Sequence, residues 1–130
     1  MPRKKIRPPL SAAQLEIMEV VWERGESAVS DVWSEIAARR TVARNTVLTV
    51  MDRLEKRGWL SKRSVGNTHL YQATSTRQIT LGDVVRRFID STFGGSADAL
   101  VMTLLDGGGV TPEEARRIRK RIDEAGKQSR

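Results

Sequence analysis

The sequence contains no cysteine and a single histidine, His69. Without thiols the chain can form neither a disulfide framework nor a thiolate metal centre. His69 has no second histidine and no nucleophile near it in the sequence that would support metal binding or catalysis. We interpret it as a packing or edge residue rather than a ligand or a base. We therefore expect no metal site and no cofactor.

Long apolar segments are also absent. No apolar run approaches the roughly 20 residues that a membrane-spanning helix needs. The first ten residues, MPRKKIRPPL, are basic, but the hydrophobic segment of a secretory signal does not follow them. We therefore expect a cytoplasmic protein without membrane insertion.

The patterns that would indicate an enzyme are missing as well. Glu16, Glu19 and Glu23 fall singly on what should be the exposed face of one helix. The three consecutive glycines at 107–109 are not followed by the Lys-Ser/Thr pair of a phosphate-binding loop. We therefore predict that the chain is not an enzyme.

What the chain has in excess is positive charge. Lysine and arginine number 23 against 16 acidic residues, which leaves a net charge of +7. This balance indicates a polyanionic partner, nucleic acid first. Between Arg39 and Arg63 eight basic residues stand against two acids, so +6 of the charge lies there. Residues 1–9 form a basic segment that we interpret as a flexible arm following phosphates or, equally well, as a disordered tail that aids solubility.

Three amphipathic helices are predicted before residue 58. Ser11 and Gln14 form a capping box at the start of the first, which Gly25 ends. The second is expected to end around Arg39-Arg40 and the third at Arg57-Gly58. Apolar residues recur at a period of about 3.6 in all three. They are, in chain order, Leu15, Met18, Val21 and Trp22; Val29, Val32, Trp33, Ile36 and Ala37; and Val47, Val50, Met51 and Leu54.

Two short strands are predicted next, joined at Val65-Gly66-Asn67-Thr68, with Leu60 and Tyr71 pointing inward. The link at Glu26-Ser27-Ala28 could add a single edge strand. Three helices followed by a two-stranded ribbon is the order of elements in a winged helix-turn-helix domain. The predicted fold class is therefore mainly α with a small antiparallel β wing, and residues 10–75 are the predicted DNA-binding domain.

The third helix has polar side chains opposite its apolar stripe. Asn and Arg can make bidentate contacts to base edges in a major groove, so we expect this face to read bases. Asp52 is expected either to pair with a neighbouring cation or to face away. The predicted DNA-binding residues are Arg44, Asn45, Thr46, Thr49, Arg53, Lys56, Lys62, Arg63 and Asn67.

Residues 76–130 are predicted to form three more helices and a dimerisation region. Thr80 with Asp83 is expected to open the fourth, Ser96 the fifth, and Thr111 with Glu114 the sixth. Their apolar stripes have too little mass to close a core alone, so a second copy of the chain is the expected cover. The predicted homodimer interface contains Leu81, Val85, Phe88, Leu100, Val101, Leu104, Leu105, Ile118 and Ile122.

Two segments of the chain resemble the penicillinase-repressor (BlaI/MecI) family: LSAAQLEIMEVVW at 10–22 and NTVLTVMDRLEKRGWL at 45–60. The wing VGNTHLY and the short LVMTLL at 100–105 are similar to segments of that family too, and the resemblance extends from Leu10 to about Ala125. It implies a dimeric repressor that binds a double-stranded, pseudo-palindromic operator.

The resemblance also implies a partner. Repressors of this family are released when a membrane sensor of the metallopeptidase type is triggered and the repressor is cut in its dimerisation region. The cut falls at an Asn-Phe pair, and Thr103-Leu104 stands at the matching positions here. The alternative function is a winged-helix module that binds protein or RNA without an operator, since a fold does not determine its function. The +6 cluster argues against that alternative.

Overall fold

The computed structural model describes residues 9–128. Within them the elements are α1 (Ala12–Arg24), α2 (Val29–Ala37), α3 (Arg44–Lys56), β1 (Leu60–Val65), β2 (Thr68–Ala73), α4 (Arg77–Thr92), α5 (Ala97–Asp106) and α6 (Pro112–Gln128). This order confirms the predicted fold class, mainly α with an antiparallel β wing. The basic arm predicted at residues 1–9 lies, apart from Pro9, outside the described residues.

The chain divides into two compact units, of which the first ends at Val85 and the second begins at Arg86. The division therefore lies inside α4. The boundary expected from the sequence, between residues 75 and 76, lies just before the same helix.

The first unit has one hydrophobic core, to which the first three helices and the hairpin contribute. Met18 and Val21 are buried as predicted, but Leu15 and Trp22 are only half-buried, and Ile17 and Val20 are buried beside them. Trp22 packs against this core and Leu15 does not, so the predicted stripe of α1 was wrong at Leu15 and lacked Ile17 and Val20. The reason is that this helix packs against α2, α3 and β2 and buries a broader face. The buried core residues are Ile17, Met18, Val20, Val21, Val29, Val32, Ile36, Val47, Met51, Leu54, Trp59, Leu60 and Tyr71.

The hairpin pairs β1 with β2 in antiparallel register from Leu60↔Ala73 to Val65↔Thr68. Gly66 has φ +62° at the first central position of the two-residue loop, a conformation that glycine adopts without strain. The predicted edge strand exists only as one bridge: the Ser27 amide donates to the Tyr71 carbonyl at 2.9 Å, and the Tyr71 amide to the Ser27 carbonyl at 2.8 Å. This bridge joins the hairpin to the segment before α2.

His69 lies on the exposed part of β2, opposite Ser64, whose Oγ is 3.2 Å from the imidazole Nδ1. Its side chain is exposed, so it is an edge residue of the hairpin. The other interpretation, a packing residue, was wrong because only Leu60 and Tyr71 of the hairpin are buried, and His69 lies nearer the turn.

The predicted start of the fourth helix was wrong. α4 begins at Arg77, and the Thr76 hydroxyl accepts a hydrogen bond from the Ile79 amide at 3.2 Å. Thr80 lies inside the helix and is buried. Thr76 and Thr80 have the same side chain, and the sequence signal at Thr80, a following acid, did not distinguish the cap from an interior residue.

The second unit leaves most of its apolar side chains exposed. Ile89 is buried, whereas no residue of α5 is buried. The last turn of α5 is closed by the glycines at 107–109, whose amides donate to the carbonyls of Thr103, Leu105 and Leu104 at 3.1 Å. Ser96 caps α5 as predicted, and Thr111 and Glu114 form the capping box of α6.

Across residues 9–128, none of the helices is both long and apolar enough to cross a bilayer.

Candidate nucleic-acid interface

The third helix presents one polar face to solvent because its apolar side chains hold the opposite face in the core. Val47, Met51 and Leu54 are 0–1% exposed. The polar side chains singled out by the sequence lie on the open side, and most of them belong to the N-terminal half of the helix. The exposed members are Arg44, Asn45, Thr46, Thr49, Arg53 and Lys56.

Two local features decide what the start of this helix can offer to a ligand. Ala43 occupies the N-cap and gives no side-chain hydrogen bond to the first turn, so the helix end keeps amides that can face an anion. The Thr49 hydroxyl donates to the Asn45 carbonyl at 3.0 Å. Thr49 therefore presents its methyl group and its oxygen lone pairs, while its proton is already used within the helix.

A carboxylate lies in the middle of the polar face. Asp52 Oδ2 is 3.1 Å from Lys56 Nζ, and Asp52 Oδ1 is 3.9 Å from Lys62 Nζ. Asp52 thus pairs with cations, as expected from the sequence. Lys62 belongs to β1, so this cluster brings a basic side chain of the wing next to a basic side chain of α3.

The other basic residue of the wing is held by a carboxylate that the sequence did not single out. Arg63 donates from Nε to Glu26 Oε2 at 2.6 Å and from Nη2 to Glu26 Oε1 at 2.8 Å. The hydrogen bond from Arg63 lowers the pKa of Glu26, and the same bond raises the pKa of Arg63. Asn67 lies at the exposed turn of the wing.

Glu26 is the partner of the wing that sequence reasoning missed. It is 37 residues from Arg63 in the sequence, and together with Ser27 and Ala28 it was interpreted as a link between two helices. A contact of this separation leaves no periodic signal in one sequence. Only the bridge between Ser27 and Tyr71, which brings this segment beside the hairpin, places Glu26 within reach of the wing.

Beneath the polar face, the side chain of Tyr71 is buried. Burial raises the pKa of the Tyr71 hydroxyl, and the carboxylates of Asp52 and Glu55 raise it further. The ring is therefore a neutral support for the junction between α3 and the wing at any physiological pH.

Two other basic side chains of the first unit are held by glutamates of α1. Arg40 Nη2 lies 2.6 Å from Glu16 Oε1, and Arg77 Nε lies 2.6 Å from Glu19 Oε1. The hydrogen bond from Arg40 lowers the pKa of Glu16. Glu16 and Glu19 therefore form ion pairs at the surface.

The apolar side chains predicted to form a dimer interface are accessible in the single chain. Leu81 and Leu100 are half-buried. The others expose between 44% and 64% of their surface: Val85, Phe88, Val101, Leu104, Leu105, Ile118 and Ile122. The Thr103-Leu104 bond lies within α5, and both carbonyls accept main-chain hydrogen bonds.

Comparison with known proteins finds similarity along almost the whole chain. A family described as penicillinase repressor matches residues 10–124. The penicillinase repressor of Bacillus licheniformis is 25% identical over 121 residues, which cover 93% of this chain and 94% of that protein. The methicillin resistance regulatory protein MecI of Mammaliicoccus sciuri is 20% identical over 110 residues, covering 85% and 89%. The solution structure of the DNA binding domain of the repressor BlaI superposes with a TM-score of 0.51 at 28% identity, covering 57% of this chain and 90% of that one.

Proposed function

Because this chain belongs to the penicillinase repressor family, we propose that it binds an operator as a homodimer and represses transcription there. The family assignment confirms the resemblance predicted from the sequence. It also confirms the prediction of a repressor rather than an enzyme.

The observation that carries the DNA-binding proposal is the exposed polar face of α3. Asn45 and Arg53 are side chains suited to bidentate base contacts, and both are accessible while the opposite side of the helix is buried. The first unit also resembles the DNA binding domain of BlaI. Base reading is assigned to Asn45, Thr46, Thr49 and Arg53.

Phosphate contacts position the domain in this proposal. Arg44 at the start of α3 and the two basic residues of the wing, Lys62 and Arg63, are assigned to the backbone of the duplex, together with the N-terminal ends of α2 and α3. Lys56 lies at the C-terminal end of the same face, and Asn67 at the tip of the wing. Asp52 lies between Lys56 and Lys62 and keeps the two ammonium groups side by side.

Homodimerisation is proposed because apolar side chains of α4, α5 and α6 remain accessible in the part of the single chain that the structure describes. In α6 the apolar residues Ala115, Ile118, Ile122 and Ala125 follow at spacings of three, four and three, the spacing of a helix–helix seam. In α5, Leu100, Val101 and Leu104 are assigned to the same interface. A twofold dimer would present two copies of α3 to a pseudo-palindromic operator with half-sites about one helical turn, or a multiple of it, apart.

Regulation by a membrane sensor metallopeptidase remains part of the proposal, with the repressor in the cytoplasm and the cut at or near Thr103-Leu104. This bond lies in the last turn of α5, where the Thr103 carbonyl accepts from Gly107 and the Leu104 carbonyl from Gly109. Since proteases bind their substrates extended, this turn has to open before cleavage.

The experiment is an electrophoretic shift with DNA upstream of the chain's own gene and with random DNA of equal length. Tight binding of the upstream DNA is expected. The logarithm of the binding constant should fall steeply and linearly with the logarithm of the salt concentration. Equal and weak binding of both DNAs would reject operator recognition and favour a module that binds protein or RNA.

A further inference from the structure

The wing is held by a carboxylate on each of its faces. Successive side chains of a strand point to opposite sides, so Lys62 and Arg63 leave β1 in opposite directions. Lys62 reaches Asp52 of α3 at 3.9 Å, while Arg63 reaches Glu26 with two hydrogen bonds of 2.6 and 2.8 Å. The second contact is much the closer, and its acid comes from a different part of the domain.

We infer that Glu26 is a positioning residue that holds the wing in its DNA-binding orientation, with Arg63 as its anchor rather than as a phosphate contact. This inference rests on the proposed function and revises one assignment within it. The sequence assigned Arg63 to phosphate because it is basic and lies in the wing. The structure gives that side chain a specific partner before any DNA is present.

The geometry of the contact supports an anchoring role. Arg63 uses the Nε and Nη2 edge of its guanidinium, the bidentate arrangement in which arginine and carboxylate planes match. The Glu26 side chain is 28% exposed and that of Arg63 63% exposed. Exposed ion pairs contribute little to global stability. We therefore assign this pair to the orientation of the wing and not to the stability of the fold.

Glu26 also lies where it can control the hairpin. The next residue, Ser27, makes the two main-chain hydrogen bonds to Tyr71 of β2. The main-chain bridge and the Glu26–Arg63 pair therefore attach both strands of the hairpin to one short segment. Without the side-chain pair, the exposed part of β1 keeps its pairing with β2 and, on its other face, the long contact between Lys62 and Asp52.

The two roles of Arg63 predict opposite effects of Glu26→Gln on DNA affinity. If Arg63 contacts phosphate, the substitution frees its guanidinium, removes one negative charge from the protein and tightens binding. If Glu26 positions the wing, the wing loses its orientation and must be ordered on binding. We expect operator affinity to fall by about three- to tenfold, the loss that follows from ordering extra side chains on association.

Glu19→Gln is the matched control. It makes the same change of charge in the same unit and also removes a two-bond contact to arginine, since Arg77 donates to Glu19 at 2.6 and 3.3 Å. That contact joins α1 to the start of α4 and involves neither β1 nor the segment at residues 26–27. Affinity for the operator should therefore stay unchanged or rise slightly in Glu19→Gln.

Arg63→Ala and the double variant complete the test. Arg63→Ala should weaken operator binding as much as Glu26→Gln, and the double variant should be no weaker than either, because both changes remove one shared contact. The salt slope of Arg63→Ala should equal that of the unsubstituted protein. Tighter binding by Glu26→Gln than by Glu19→Gln, or a slope lowered by about one in Arg63→Ala, would overturn the inference.

A measurement without DNA separates this inference from the proposed function. Amide hydrogen exchange in β1 and β2 should be faster in Glu26→Gln than in the unsubstituted protein, and unchanged in Glu19→Gln. If the unsubstituted protein does not bind the operator, the proposed function fails, and the exchange rates still decide the anchoring role. Equal hairpin exchange in the two variants would reject it.

Discussion

The two units of this chain bury their apolar residues to very different extents. In the first, 13 hydrophobic residues form one buried cluster, with Val32, Met51 and Leu54 fully enclosed. In the second, Ile89 is buried, but the side chains of α5 are all exposed or half-buried, and so are those of α6 up to Lys127. Both units contain helices with side-chain caps, but within residues 9–128 only the first unit has a buried core. Helix formation in this chain therefore does not require a buried core.

The same difference teaches which parts of the chain need a partner. Apolar side chains that remain accessible gain most from association, at about 25 cal/mol for each Å² removed from water. The first unit buries its apolar side chains in its own core, and its surface carries charged side chains. The second unit leaves most of its apolar side chains accessible, which is why the dimer interface is proposed there.

The units can be followed separately because their aromatic residues differ. All three tryptophans, Trp22, Trp33 and Trp59, belong to the first unit. The second unit contains Phe88 and Phe93, whose rings contact edge-on with centroids 5.6 Å apart. Tryptophan fluorescence therefore reports on the first unit, whereas far-ultraviolet circular dichroism reports on the helices of both.

The largest expected effect on stability is in the core of the first unit. Leu54→Ala removes a side chain with 0% exposure and should lower the free energy of unfolding by about 2–5 kcal/mol. Urea unfolding followed by tryptophan fluorescence measures it. Leu104→Ala, at a side chain with 45% exposure, is the control and should change this transition little in dilute solution. Equal losses in the two variants would remove the contrast between the units.

The dimer interface is tested by placing a charge in the second unit. Leu104→Asp should dissociate the dimer, because a buried carboxylate without a partner is unfavourable. Operator affinity should then fall by about 10²–10⁴-fold, since one bivalent contact becomes two independent ones. Analytical ultracentrifugation measures the mass.

Met102→Asp is the control for that change. It adds the same charge two residues away, on another side of α5, at a side chain with 50% exposure outside the predicted interface. It should leave the dimer intact. A dimer that survives Leu104→Asp, or that both variants dissociate equally, would remove Leu104 from the interface.

Base and phosphate contacts within the first unit should respond differently to substitution. Asn45→Ala should weaken operator binding by about 1–3 kcal/mol and leave random DNA unaffected, because a bidentate base contact is lost. Lys62→Ala should weaken both DNAs alike and reduce the salt slope by about one. Titrations of each variant with operator and random DNA measure both effects. Equal losses on both DNAs for Asn45→Ala would remove it from base reading.

The smallest expected effect is on the pH dependence of stability. Hydrogen bonds from Arg40 and Arg63 lower the pKa of Glu16 and of Glu26 below 4.5 in the folded chain. The unfolded chain therefore binds protons more readily than the folded chain. The stabilisation by these two ion pairs is present above pH 4.5 and is lost as the pH falls through the pKa values of the folded chain. Glu16→Gln should make the tryptophan-monitored free energy of unfolding less sensitive to acid.

Glu114→Gln sharpens this comparison as its control. The Thr111 amide and hydroxyl lower the pKa of Glu114 as well, but in the second unit. The tryptophan-monitored transition should therefore keep its acid dependence in this variant. A change as large as that of Glu16→Gln would show that the two units unfold together.

Helix α3 was predicted closely because its sequence separates apolar and polar residues, although Leu48, 40% exposed, lies outside the apolar stripe. Val47, Met51 and Leu54 lie on one side and Asn45, Thr49 and the lysine of the last turn on the other, so one orientation satisfies both sets. In α1, by contrast, six of the eight positions from Leu15 to Trp22 are apolar, and their period allows several orientations. Contacts with α2, α3 and β2 selected one of them, which explains the error at Leu15 and the omission of Ile17 and Val20 from the predicted stripe.

The sequence by itself determined the features that depend on residues within one helical turn or one hairpin loop. The capping boxes of Ser11 and Thr111 and the two-residue loop at Gly66 belong to this group, since their hydrogen bonds or backbone angles are local. Only the tertiary structure decided which charges meet. Arg40 pairs with Glu16, 24 residues away in the sequence. Arg63 pairs with Glu26 at a separation of 37 residues, and Arg77 with Glu19 at a separation of 58. Charge can be counted along a chain, but whether a cation faces a carboxylate or solvent depends on packing that brings distant segments together.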